Sequence, residues 1–276
     1  MVNQIDHKDV ANSFSDAAKT YDDAAFFQRI AGDRLFERLD YFKLAPKTIL
    51  DIGSGTGHCT RALKQKYPSA QVVGLDIAQG MVDYCRQQST GENYICADAL
   101  EIPLESNSQD LIFSNLTFQW IEQLDLLFKE LHRVLKPNGL LLFTSLGPDT
   151  LFELKTSWKS IDEHKHVNDF MDMHHLGDAM LNAAMLDPVV DNEAVVIGYD
   201  KALELMRDLK NIGAHNVDKQ RRKGLTSPAV IRKLEKEYQQ FKLSNGELPA
   251  TYELVYGHAF GREEIPMDYH EYGIEL

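Results

Sequence analysis

The short apolar run Thr48-Ile49-Leu50-Asp51-Ile52 passes directly into Gly53-Ser54-Gly55-Thr56-Gly57, and this junction constrains the fold more than any other feature of the chain. An apolar run closed by turn glycines reads as a buried strand with a tight turn at its end. Residues 58–66, halted before Pro68, read as the helix that follows. The same alternation continues with strands over 70–77, 93–98 and 110–116 and helices over 79–88 and 123–135. In the last of these Leu124, Leu127, Phe128, Leu131, Val134 and Leu135 recur at helical spacing. Lys136-Pro137-Asn138-Gly139 is a stop-and-turn signal before a fifth strand over 140–146. Strands separated by helices of this length require a mainly parallel sheet covered on both faces, a doubly wound α/β fold.

Beyond Gly147 the pattern changes. Helices are expected over 150–161, 172–184, 201–212 and 228–240, and strands over 189–199 and 251–260. The expected organisation is an N-terminal helical lid (1–44), a domain over 45–261 with helical insertions at about 148–188 and 201–245, and an acidic tail over 262–276. The longest apolar run, around 139–146, is far short of the ~20 residues a membrane span needs. Residues 1–9 are polar, so no secretory leader is expected, and three cysteines without CxxC spacing read as reduced thiols in a cytoplasmic protein with no metal site. A net charge of -13 argues against general nucleic-acid binding. Between residues 201 and 242, however, eleven Lys/Arg face five Asp/Glu, a local +6. That island suits an anionic partner, or it is simply a solvated helix surface.

Glycine at 53, 55 and 57 lets the backbone turn sharply and lets a ligand approach main-chain amides with no Cβ in the way. The spacing is G-x-G-x-G, because position 58 is His, and so differs from the dinucleotide fingerprint G-x-G-x-x-G. It resembles motif I of the class I S-adenosylmethionine methyltransferases. Three further stations fall at strand ends, where open α/β sheets bind ligands. Asp76, closing the second strand, is placed to accept the ribose hydroxyls, with Ile77 beside it. Asp98 and Ala99, after the third, are placed to meet adenine. Asn115 and Leu116, after the fourth, lie by the amino-acid end of the cofactor, and Asp51, leading into the glycine loop, is a further cofactor-binding candidate. Met81 is a candidate floor for adenine or ordinary helix packing. Tyr21 and Trp120 are candidates to face the sulfonium, since aromatic faces accept a cation; core packing is the alternative for each. Gln28, one helical face along from Tyr21, would help to close the lid.

The segments Phe14…Ala17-Ala18…Tyr21-Asp22…Ala25…Gln28, Ser114-Asn115-Leu116…Gln119-Trp120, Phe143-Thr144-Ser145-Leu146, Met206 to Ala214 and Thr251-Tyr252-Glu253…Tyr256-Gly257 are similar to the malonyl-acyl-carrier protein O-methyltransferases of biotin synthesis. The resemblance spans nearly the whole chain to Gly261. It implies a Rossmann-like methyltransferase sheet, S-adenosyl-L-methionine as cofactor, and malonyl-acyl-carrier protein or malonyl-CoA as substrate, methylated on its free carboxylate. Phe170 to Asp178 also resembles a mitochondrial branch of complex I assembly factors with protein-arginine hydroxylase activity. A protein-modifying role of that kind, and a small-molecule methyltransferase acting on a quinone or polycarboxylate, are therefore the alternatives. A free carboxylate is already ionised near neutral pH, so no general base is demanded. Arg207 is the candidate guanidinium clamp for it, or a surface residue paired with Glu204 or Asp208. An acidic carrier protein would dock on the basic island through Lys210, Arg221, Arg222, Lys223, Arg232 and Lys233.

Overall fold

The structure is a computed structural model and describes residues 7–89, 91–214 and 227–262. Three helices come first: α1 (His7–Ala17), α2 (Tyr21–Ala24) and α3 (Phe26–Leu39). The alternating region then gives β1 (Thr48–Ile52), α4 (His58–Lys66), β2 (Gln71–Asp76), α5 (Gln79–Gln88), β3 (Asn93–Cys96), β4 (Gln109–Ser114), α6 (Leu124–Val134) and β5 (Leu135–Leu146). The rest is α7 (Phe152–Lys159), α8 (Met173–Asn182), β6 (Leu186–Tyr199), α9 (Ala202–Asn211), α10 (Pro228–Tyr238) and β7 (Leu248–Phe260). The seven strands form one sheet in the order β3-β2-β1-β4-β5-β7-β6. The first five are parallel, and β7 runs antiparallel to both β5 and β6.

The near-continuous apolar strands are explained by cover on both faces. Successive side chains of a strand point to opposite sides, and here they enter two separate cores. Ile49, Leu111, Phe113, Leu140 and Leu142 pack beneath α3, with Ala31, Leu35 and Leu39 at helical spacing. Leu50, Ile52, Ile112, Leu141 and Phe143 pack on the other side with Leu127, Phe128 and Leu131 of α6 and Met180 of α8. The Lys136 to Gly139 turn exists, but not as a break before the strand. Leu135 already pairs with Gln109, the register then shifts, and Asn138 carries the turn at φ 61° inside β5.

Helices α1 and α2 lie at the carboxyl ends of the parallel strands, while α3 covers one face of the sheet. Close contact between α1 and α5 depends on Gly80, where a Cβ would come 2.6 Å from the Ser15 carbonyl oxygen. Farther along, the Ser13 hydroxyl donates to the Gly213 carbonyl at 2.8 Å and Thr20 to that of Asn211 at 3.0 Å. The helical start of the chain is thus tied to both α5 and α9. Arg221, Arg222, Lys223 and the acidic segment 263–276 lie outside the described residues.

Candidate active site

Three adjoining cavities open at the carboxyl ends of the strands, and Tyr21 is the one described residue that lines all three. The first has about 690 Å³ of open space. Its walls come from the ends of β1, β2 and β3 (Gly53, Gly55, Asp76, Ile77, Asp98, Ala99) and from α1 and the loop after β4 (Phe14, Leu116, Trp120). The third is lined by Asp22, Gln28, Arg29, Asp51, Gly53, Gly55 and Asn115. Most of the residues chosen from the motif resemblance and the strand ends are therefore brought to one crevice.

Each glycine of the loop has a different reason. At Gly53 (φ +70°) a Cβ would stand 1.9 Å from the Thr117 hydroxyl oxygen, so packing excludes one. At Gly55 (φ +53°) a Cβ would meet nothing within 4 Å and would instead project into open space. Gly57 lines none of the three cavities; a Cβ there would come 2.6 Å from the Tyr94 hydroxyl and 2.8 Å from Arg61 Nη1. Its left-handed backbone (φ +81°) and these close neighbours exclude a side chain at the start of α4.

Asp76 is buried, and its two oxygens accept backbone N–H groups from Gly55 and Ala78, each at 2.8 Å. Burial raises its pKa and these hydrogen bonds oppose that rise. A carboxylate has about four lone-pair positions, so each oxygen keeps capacity for a ribose hydroxyl. Asp51 is also buried and accepts the Thr60 hydroxyl at 2.6 Å. Burial pushes its carboxyl up to about 7. A cationic ammonium in the third cavity would offset that cost. Asn115 is held at both ends, accepting from Thr144 at 2.8 Å and donating to the Gln28 carbonyl at 2.9 Å. Leu116 follows at φ 54°, a conformation L-residues seldom adopt, and its amide donates to Thr144.

Other expectations are altered by the packing. Met81 is fully buried against Ala18 and Ala78, beneath Phe14 and Tyr21, and lines no cavity; it supports the wall without forming it. Asp98 is at the crevice, but its Oδ2 already meets His7 Nδ1 of α1 at 3.0 Å. Nothing in the sequence pattern marks His7, because its partner is 91 residues away. Arg207 is exposed and lines none of the cavities. Asp208, one of its suggested surface partners, is hydrogen-bonded to Tyr199 instead. The apolar stripe Ala202, Leu205, Met206, Leu209 on α9 was the available signal, since Arg207 falls off it.

The second cavity, with about 1030 Å³ of open space, was not foreseen. It shares Phe14, Tyr21, Leu116 and Trp120 with the first, and Phe14 stands edge-on to Trp120 with centroids 5.3 Å apart. Its far walls come from α7, the 166–170 segment, α9 and β7. Its described lining holds no Lys, Arg, Asp or Glu. Tyr21, its phenol pushed to higher pKa by burial and then by Asp76, is a neutral hydroxyl at the meeting point.

A methyltransferase-domain family model matches residues 50–143. Among solved structures the fold resembles the YcgJ protein of Bacillus subtilis (TM-score 0.57, 18% identity, 83% of this chain and 98% of that one). It also resembles Haemonchus contortus phosphoethanolamine N-methyltransferase 2 with S-adenosyl-L-methionine (TM-score 0.57, 19% identity, 90% and 57%). The sheet order, the glycine loop and the strand-end carboxylates define a class I methyltransferase that uses S-adenosyl-L-methionine. Malonyl-acyl-carrier protein O-methyltransferases align over nearly the full length. That of Gallionella capsiferriformans is 45% identical over 93% of this chain and 91% of its own, and that of Legionella pneumophila 38% over 98% and 95%. The chain belongs to the malonyl-acyl-carrier protein O-methyltransferase family.

Proposed function

We propose that the protein methylates the free carboxylate of malonyl-acyl-carrier protein, giving the methyl ester used early in biotin synthesis. One observation carries this reading: the crevice at the strand ends opens at Tyr21 and Trp120 into a second, acceptor-sized chamber whose described lining holds no Lys, Arg, Asp or Glu. Bound S-adenosyl-L-methionine supplies an electrophilic methyl group on a sulfonium sulfur. Asp76 would hold the ribose, Asp98 and Ala99 the adenine, and Asp51, Gln28 and Asn115 the amino-acid end. Ile77 and Leu116 would supply apolar contact beside them.

The acceptor needs no base, since carboxylic acids titrate near ~4. What the chain must provide is alignment and a dry setting for the anion. Phe14, Tyr21 and Trp120 stand between the two chambers, so they would orient the acceptor oxygen and exclude water. Arg207, exposed beside Met206 of the chamber wall, would attract the incoming carboxylate at the rim before it enters the chamber. Helices α1 and α2 would act as the lid, anchored by α3 on the sheet face. Methylation removes the negative charge, so the ester loses its ionic contacts and leaves.

The carrier protein would dock on the basic segment 201–242. Lys210, Arg232 and Lys233 of that segment are exposed on α9 and α10. No described helix is long and apolar enough to cross a membrane. The names of the relatives do not favour the quinone, polycarboxylate or assembly-factor alternatives. Purified protein should transfer label from S-adenosyl-L-methionine to malonyl-acyl-carrier protein, alongside malonyl-CoA, free malonate and a quinone precursor as comparisons. Label appearing only on the quinone precursor would reject the reading.

A further inference from the structure

A chamber that takes a carboxylate needs a positive partner, yet its described walls carry no lysine or arginine. One lining group can form a cation: His166. Its imidazole lies flat on Trp158, with centroids 3.7 Å apart and planes 6° from parallel, and its Nε2 is 2.8 Å from Asp162 Oδ1. The side chain is only 12% exposed. Asp162 is itself positioned by the His164 backbone amide at 3.0 Å. Burial would raise the Asp162 pKa, and hydrogen bonds from His166 and His164 outweigh it, holding the carboxyl below its usual range. The ring is therefore fixed in plane, and one nitrogen is committed to an anion.

A second observation points into the same chamber. Asn168, two residues along, is 5% exposed, and its amide oxygen has no hydrogen-bond partner. That oxygen is an acceptor, so it suits an N–H or O–H donor of a bound molecule and does not bond the carboxylate. Nearby cations are engaged elsewhere. Lys155 donates to the Pro148 carbonyl at 2.9 Å and stands 5.2 Å from the Phe170 ring centroid, while Lys165 pairs with Asp169 at 2.9 Å.

We propose that His166, steadied by Asp162 and Trp158, recognises the substrate's free carboxylate inside the acceptor chamber. With Nε2–H donated to Asp162, a neutral ring offers only a lone pair at Nδ1, which repels an anion. The imidazolium donates at both nitrogens and satisfies Asp162 and the substrate together. After transfer the ester carries no charge, so the pair discriminates substrate from product. His166 is thus a specificity-determining residue, distinct from a base, and the proposal rests on the malonyl reading above.

The test measures binding of malonyl-acyl-carrier protein and of its methyl ester to protein saturated with S-adenosylhomocysteine, by calorimetry. Wild type should prefer the free acid. His166→Gln and Asp162→Asn should each lose that preference by roughly tenfold or more, the size of one charge-assisted hydrogen bond. A merely structural role would weaken both ligands alike and leave the ratio unchanged. Thermal melting checks each variant's fold, and if His166→Gln does not fold, Asp162→Asn decides. A folded variant that keeps the wild-type preference overturns the assignment while the methyltransferase reading stands. Wild type that neither binds nor methylates the malonyl thioester overturns both.

Discussion

The carboxylate of Asp76 accepts the Gly55 amide proton at 2.8 Å, so the end of β2 and the loop leaving β1 form one hydrogen-bonded unit. The group proposed to bind the ribose thereby also sets the loop that the cofactor lies along. Asp76→Ala should weaken S-adenosyl-L-methionine binding by roughly 100-fold, the sum of about two hydrogen bonds to a charged acceptor. Isothermal calorimetry reads this directly. A change of less than threefold would remove Asp76 from the cofactor site.

The two loop glycines should separate stability from binding. Gly53→Ala meets Thr117 and must hold a left-handed backbone, which together cost roughly 2–5 kcal/mol. Gly55→Ala has the backbone cost alone, about 1–2 kcal/mol, because its Cβ meets nothing. That methyl projects into open space at the crevice, so Gly55→Ala should lose most cofactor affinity while melting well above Gly53→Ala. Equal melting temperatures with intact binding would contradict this division.

Asp51 gives a pH dependence of defined sign. Burial pushes its carboxyl up to about 7, with the charge of Asp76 adding to the rise and the Thr60 hydrogen bond opposing it; unfolded, it titrates near ~4. Between these values the folded chain holds a proton the unfolded chain has released. The stabilisation is therefore complete below about pH 4 and is lost as pH rises through about 7. Relative to Asp51→Asn, cofactor-free wild type should lose stability on the order of 4 kcal/mol across that window. Parallel curves for the two proteins in urea titrations would refute the assignment.

Substrate capture should divide between two cationic features. Arg207→Ala should raise the KM for malonyl substrate several-fold without altering cofactor affinity, consistent with its exposure outside the cavities. Unchanged kinetics would remove it from the substrate path. Reversing Arg232 and Lys233 to Glu should slow reaction with the carrier protein more than with malonyl-CoA. The difference should shrink in high salt, because such contacts chiefly steer encounter. Equal effects on both substrates would place docking elsewhere.

What the sequence determined by itself is local. Apolar strands ending in small turn residues, and helices with one apolar stripe, are dictated by backbone periodicity and side-chain type within about ten residues. The parallel region and the glycine loop with its strand-end acids were accordingly legible, and so was the family. Tertiary structure alone decided the direction of β7 between β5 and β6, the His7 contact to Asp98 across 91 positions, and the exposure of Arg207. It also decided the chamber, where His166 stacks on Trp158 and the Asn168 amide oxygen is left without a partner. These depend on which segments the sheet and its covering helices bring together, and burial and hydrogen-bond partners come into existence only when distant pieces of chain meet.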